Sequence, residues 1–254
     1  MVIRWKITIP ELTGDSQRTA YLYFPESYGR EPSRRYPVLY MFDGHNVFFD
    51  SDATYGKCWG MQEYMDHAHT QMIIAAVECN HSPDNGRLRE YSPYTFSDPQ
   101  FGRITGQGRH TMDWFVHTFK PYIDSRYRTL PDRKHTFIAG SSMGGLMSLY
   151  AVMAYNSYFS RGAALSPYMH AMESQLTDLI RHSHIQSDTV LYMDYGSEEL
   201  KTHPDTVKGF GRICSRLMEK GVSLESRIVP GGEHCEASWE RQIPFFMNTL
   251  LYRP

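Results

Sequence analysis

The sequence predicts an α/β fold, with a mostly parallel, doubly wound sheet and an antiparallel N-terminal edge. Three observations carry this. From about residue 36 onward, short continuous apolar runs alternate with stretches of helical periodicity. Most of the runs are continuously apolar rather than apolar at every second residue, as strands buried on both faces require. The first 35 or so residues differ, because there the apolar and polar residues alternate.

Each element follows from this pattern. Residues 4–9 and 19–25 read as two strands of an antiparallel hairpin, turning at Thr13-Gly14-Asp15. The buried strands are expected at 38–42, 72–77, 136–139, 161–165, 189–193 and 224–229. Helices are expected at 111–125, 143–153, 204–220 and 238–252. Strand–helix–strand order in one sheet implies right-handed crossovers. The segment 80–108 is rich in Pro, Gly, Asn, Ser and Asp. It is too long for a plain connection and reads as a functional loop.

Composition sets the limits. The chain has 254 residues, 41% hydrophobic and 21% charged, which suits one domain spanning 1–254. A formal net charge of −2 without a basic run argues against nucleic acid as a partner. No stretch approaches the roughly 20 apolar residues of a membrane helix, and the first residues lack the apolar core of a secretory signal. Four scattered cysteines, Cys58, Cys79, Cys214 and Cys235, form no CxxC pair. They read as reduced thiols of a cytoplasmic protein rather than a zinc or disulfide framework. Cys235 beside His234 does not form a nucleophile–base pair, since adjacent side chains rarely face each other. A homodimer is compatible with the sequence, which carries no signal of subunit number.

The chemistry centres on Gly140-Ser141-Ser142-Met143-Gly144. An apolar strand precedes this G-x-S-x-G motif and a helix of small residues follows it, the strand–turn–helix setting of an α/β-hydrolase nucleophile elbow. Gly140 and Gly144 keep side chains out of the crowded turn, and Gly145 lets the helix lie close to the sheet. Ser142 is then the candidate nucleophile. The N–H of Met143, at the start of the helix, is the first candidate oxyanion donor.

A serine needs a base, and the base an orienting acid. In this fold the order along the chain is Ser, acid, His. Of the downstream histidines, His182 and His184 lie near a polar helix end, and His203 precedes Pro204 near a helix start. His234 follows the last predicted strand through Pro230-Gly-Gly-Glu and is the candidate base. Spacing leaves the acid open between Asp194, at the end of its strand, and Glu198 or Glu199 in the following turn. The loop after strand 38–42, Asp43-Gly44-His45-Asn46, is placed to supply a second oxyanion donor through the N–H of His45. A side-chain or turn-forming role for His45 or Asn46 is the alternative. Asn46, Trp59, Tyr91 and Trp239 are candidate substrate contacts, with core packing the competing role for the aromatics. Arg87 and Arg89 either meet an anionic group or pair with Glu90 or Asp84.

These segments together resemble the esterase D or "Putative esterase" group of α/β-hydrolases. That group includes feruloyl and acetylxylan esterases, S-formylglutathione hydrolase, mycolyltransferases and siderophore esterases. The resemblance spans nearly the whole chain. It rests on the 38–48 segment, Arg89-Glu-Tyr-Ser-Pro, Ile138-Ala-Gly-Ser-Ser-Met-Gly-Gly, Asp194-Tyr-Gly-Ser-Glu-Glu and Gly231-Gly-Glu-His-Cys-Glu-Ala-Ser-Trp. It implies Glu199 as the acid, in a Gly-Thr-x-Glu/Asp type turn, and puts His234 in the Gly-Gly-x-His slot with Trp239 just after it. It implies hydrolysis of a small-molecule ester through an acyl-enzyme, with no metal and no organic cofactor. The Asp-Gly-His-Asn loop departs from the His-Gly-x-x-Gly form of feruloyl esterases and looks more like the siderophore-esterase branch. The N-terminal domain of that branch's larger members has no counterpart here. The expected substrate is a small or aromatic acyl ester, feruloyl or acetyl, with a siderophore trilactone as the alternative. A peptidase or thioesterase would share the same three residues. A hydrolase-fold binding module without activity is the alternative outside catalysis; such modules usually lack one of the three.

Overall fold

A computed structural model describes residues 1–202 and 205–252. Its centre is an eight-stranded sheet in the order β1-β2-β4-β3-β7-β8-β9-β10. The strands are β1 (Val2–Ile9), β2 (Gly14–Tyr23), β3 (Val38–Met41), β4 (Ile73–Val77), β7 (Thr136–Ser141), β8 (Arg161–Leu165), β9 (Val190–Gly196) and β10 (Ser223–Val229). Two short strands, β5 (Phe96–Asp98) and β6 (Gly102–Ile104), pair separately. From β4 to β10 every pairing is parallel. The β1–β2 and β2–β4 pairings are antiparallel, which makes the N-terminal hairpin the edge of the sheet.

The runs of β3, β4, β7, β8 and β9 are buried, whereas the run expected as a buried strand at 224–229 forms the edge strand β10, where Ile228 is exposed because no further strand covers it. In β3 and just beyond it, Val38, Tyr40 and Phe42 face one apolar layer while Leu39 and Met41 face the other. The helix Met143–Ala154 packs in the first layer, with eleven of its twelve residues buried. It lies against β7 and β8 with no polar face, so its small and apolar residues follow from its position.

The helical pattern is interrupted in two places by proline. The stretch expected as one helix over 111–125 is Gly108–Trp114, a π turn Phe115–Phe119, then Lys120–Arg126. Pro121 has no N–H to give the carbonyl four residues back, and the wider turn precedes it. The helix expected over 238–252 is two, Glu236–Glu240 and Ile243–Leu251, the second starting with Pro244 in its first turn. The helix expected over 204–220 is described as Asp205–Glu219; the expected start at Pro204, and His203, lie outside the described residues. The turn at residues 13–15 is preceded by one helical turn, Pro10–Thr13. The segment 80–108 holds a short helix, Gly86–Glu90, and the β5–β6 pair. No helix among the described residues is long and apolar enough to cross a membrane.

Candidate active site

Ser142 sits between β7 and the helix Met143–Ala154 with φ 56° and ψ −119°, a conformation that costs a non-glycine residue energy. The surrounding backbone holds it there. Its N–H donates to the Leu165 carbonyl at 2.9 Å, and its carbonyl accepts from Leu146 at 2.9 Å and Tyr168 at 3.0 Å. The turn is tight enough that a Cβ on Gly140 would lie 2.7 Å from the Gly144 carbonyl carbon. A Cβ on Gly145 would lie 2.7 Å from the Leu165 oxygen, so the helix approaches the sheet through bare backbone. The Met143 N–H lies in the first helical turn, where amides have no partner within the helix.

His234 lies on the loop after β10, and Glu199 in the helix Ser197–Thr202 that follows β9. The parallel β9–β10 pairing brings these two loops side by side. Glu198 N–H donates to the Gly232 carbonyl at 3.0 Å, and Gly231 N–H to Ser197 Oγ at 2.9 Å. His234 Nδ1 then meets Glu199 Oε2 at 2.6 Å. The other carboxylate oxygen, Oε1, accepts from Ser166 Oγ at 2.6 Å and from the Gly196 N–H at 2.8 Å. Burial pushes the Glu199 carboxyl up, but the bonds from His234, Ser166 and Gly196 outweigh it and hold the group below its ordinary range. An ionised Glu199 accepts a hydrogen bond from the Nδ1–H, which fixes the tautomer in which His234 Nε2 is the acceptor. Trp239 steadies both residues. Its ring meets His234 edge to face with centroids 5.0 Å apart, and its Nε1 donates to Ser166 Oγ at 3.1 Å.

The other two carboxylates considered for this position lie elsewhere. Asp194 is buried within β9, which runs on to Gly196; it accepts from Tyr192 OH at 2.7 Å and from the Ser166 N–H at 3.2 Å. Burial pushes its carboxyl up to about 7. Glu198 pairs with Lys201 at the surface.

The loop after β3 is held from beneath by an ion pair whose carboxylate is buried. Arg87 donates through Nε and Nη2 to the two oxygens of Asp43, each at 2.7 Å. Burial raises the Asp43 carboxyl and the Arg87 charge lowers it, with the net shift downward. Asp43 N–H donates to Tyr91 OH at 3.1 Å. Asp43 itself has φ 53°, and Gly44 leaves no room for a side chain, since a Cβ there would lie 2.8 Å from Val77 N. This starts the short 3₁₀ turn Gly44–Asn46, with the His45 N–H in its first turn. The Arg87 side chain is one-third exposed and Asp43 nearly buried. Arg87→Ala would strand the carboxylate, and we expect about 2–4 kcal/mol lost in urea unfolding; an unchanged midpoint would mean that Asp43 is solvated or neutral.

Ser142 and His234 line one cleft of about 560 Å³ with His45, Asn46, Tyr55, Arg87, Phe101 and Trp239. Of the expected substrate contacts, Asn46 and Trp239 are on this wall. Asn46 is fixed there, donating to Glu236 at 3.2 Å and accepting from the Thr54 N–H at 2.9 Å. Trp59 and Tyr91 are not on it. Trp59 is buried between Trp239 and Phe246, and Tyr91 is buried under Phe42. Both are large apolar rings close in sequence to cleft residues, and burial claimed them. Arg89 pairs with Asp84, as one of its two expected fates, while Arg87 takes Asp43 and Glu90 takes Arg18. The segment 80–108 supplies much of one cleft wall, from Asn80 to Leu88 and again at Phe101.

Sequence reasoning passed over Ser166, Asp43 and Glu236. Ser166 carries a usable signal, because Ser166-Pro167 follows directly on β8, and the carboxyl ends of parallel strands are where sites collect in such sheets.

The family model described as "Putative esterase" matches residues 13–245. "Uncharacterized protein YbbA" of Bacillus subtilis (strain 168) is 28% identical over 243 residues, covering 90% of this chain and 89% of that protein. Among solved structures, an IroE-like serine hydrolase from Shewanella oneidensis superposes with a TM-score of 0.75 at 19% identity, covering 98% of this chain and 79% of that one. A ferulic acid esterase superposes with a TM-score of 0.69 at 18% identity, covering 98% and 96%. At these identities the two structures establish the α/β-hydrolase fold, while the model match reaches from the N-terminal hairpin to the last helix. The chain therefore belongs to the Putative esterase family of carboxylic ester hydrolases.

Proposed function

We propose that the protein hydrolyses small or aromatic acyl esters, feruloyl or acetyl, through an acyl-enzyme on Ser142. The observation that carries this is the 2.6 Å contact of His234 Nδ1 with Glu199, on a histidine that shares the cleft with Ser142. His234 Nε2 takes the Ser142 proton as the oxygen attacks the ester carbonyl. Glu199 holds the ring and balances its charge while it is protonated. The N–H groups of Met143 and His45 receive the oxyanion, each donor worth about 3–4 kcal/mol in comparable enzymes. His234 then protonates the leaving alcohol, and water repeats the sequence on the acyl-enzyme.

The cleft supports a compact acyl group with one flat face. Trp239, Phe101 and Leu88 offer apolar surface, and Asn46 a fixed amide. A second reading, a siderophore trilactone esterase, has support in the polar wall formed by Asn80, His81, Ser82 and Arg87, which suits a large oxygen-rich ligand. Steady-state kinetics on p-nitrophenyl acetate, methyl ferulate and a catechol trilactone separate the two. We expect kcat/KM for one of the first two to exceed that for the trilactone by about tenfold or more, the difference that one good pocket contact supplies. The reverse order would replace the first reading with the second.

A further inference from the structure

One corner of the cleft carries side chains for which ester hydrolysis has no use. A ring nitrogen of His45, the Cys79 sulfur and a ring nitrogen of His81 lie within 4.8 Å of one another. The sheet brings them together: β3 and β4 are parallel neighbours, His45 follows the first, and Cys79 and His81 follow the second. The two imidazoles meet edge to face with centroids 4.8 Å apart, and His81 Nε2 is 4.0 Å from Cys79 Sγ.

His45 makes the corner more than a chance cluster. It is 4% exposed. Its Nε2 is engaged with Thr54 Oγ1 at 3.0 Å. Its Nδ1 is buried and has no hydrogen-bond partner among the described residues. A buried polar atom left without a partner destabilises the fold, and a ligand at that atom offsets the cost. The backbone N–H of His45 is the part assigned to ester hydrolysis, so the ring is free for another role.

We propose that His45, Cys79 and His81 form a binding site for one zinc ion at the edge of the ester cleft. Two imidazoles and one thiolate are a three-residue set that zinc accepts, with its fourth position open to water or another small donor. The sulfur selects against magnesium and calcium, which take oxygen ligands. Thr54 fixes the His45 ring from its far nitrogen, the kind of support that ligating imidazoles require. Glu78 Oε1 lies 3.1 Å from His81 Nε2, the same nitrogen that faces Cys79 Sγ, so an ion there displaces this contact or takes the carboxylate as its fourth donor. Cys79 and His81 line the same cleft as Ser142, so an ion here would alter the space open to an acyl group.

The test is calorimetric titration of zinc chloride into the purified chain, with cobalt(II) absorption as a readout of sulfur ligation. The expected result is one ion per chain and a thiolate-to-cobalt charge-transfer band. Cys79→Ser should abolish the band, and both it and His81→Ala should weaken zinc binding by at least about tenfold. His81 is half exposed, so its variant folds even if the buried Cys79 tolerates change poorly. Cys235→Ser, which removes the partly exposed thiol beside His234, should change neither readout. Zinc binding equal in wild type, Cys79→Ser and His81→Ala, no zinc binding at all, or a band lost in Cys235→Ser rather than Cys79→Ser would each overturn the site.

Discussion

Ser142→Ala should lower kcat/KM for a p-nitrophenyl ester by about 10⁴-fold or more, with the unfolding midpoint nearly unchanged. The size of the effect follows from what is lost. Without the hydroxyl no acyl-enzyme forms, and the remaining site can only hold substrate near its oxyanion donors, which by itself leaves modest catalysis over water. The fold should not notice. The backbone of residue 142 is held by its bonds to Leu165, Leu146 and Tyr168, and alanine accepts the same three. Its positive φ strains either residue alike, so the substitution neither adds nor relieves strain. Turnover near that of the unaltered chain, after mass spectrometry excludes contaminating wild type, would remove Ser142 from the mechanism.

Glu199→Gln should lower kcat by roughly 10³–10⁴-fold with little change in KM, while Asp194→Asn should change kcat by less than about tenfold. A glutamine at 199 keeps the bulk but carries no charge to balance a protonated His234. It can also turn its NH₂ toward Nδ1 and favour the wrong tautomer. The split between kcat and KM matters, because Glu199 faces His234, Ser166 and the Gly196 N–H rather than the cleft. Asp194 serves a different purpose. It is buried in β9 with Tyr192 and the Ser166 N–H on its oxygens, and its contribution is to the strand ends beneath the site. A larger kcat loss at Asp194 than at Glu199 would reverse the assignment of the acid.

The sheet was legible because parallel strands buried on both faces leave continuous apolar runs, and little else in a soluble chain does so at that length. The same reading smoothed over the helix breaks at Pro121 and Pro244, since each lies inside a run of apolar residues whose periodicity continues across it. Spacing placed the Ser142 turn and the His234 loop, both marked by glycines next to a strand end. It did not choose among Asp194, Glu198 and Glu199, because the choice depends on where β9 stops. That strand runs two residues past Asp194, and the helical turn Ser197–Thr202 aims Glu199 at His234 and Glu198 at Lys201. Aromatic residues gave the weakest signal. Trp59 and Trp239 pack against each other, yet only Trp239 reaches the cleft. The Asp43–Arg87 pair was invisible for another reason. Its partners are 44 residues apart, and each belongs to a loop that carries several other charges.

The most direct test of the account is labelling with a fluorophosphonate, followed by peptide mapping of the adduct. A serine activated by a neighbouring imidazole attacks phosphorus as it would an ester carbonyl, and the phosphonyl group stays on the oxygen. One adduct per chain on Ser142, absent in Ser142→Ala and strongly slowed in His234→Ala, is the predicted result. No adduct, or an adduct on Ser141 or Ser166 that persists in Ser142→Ala, would contradict it.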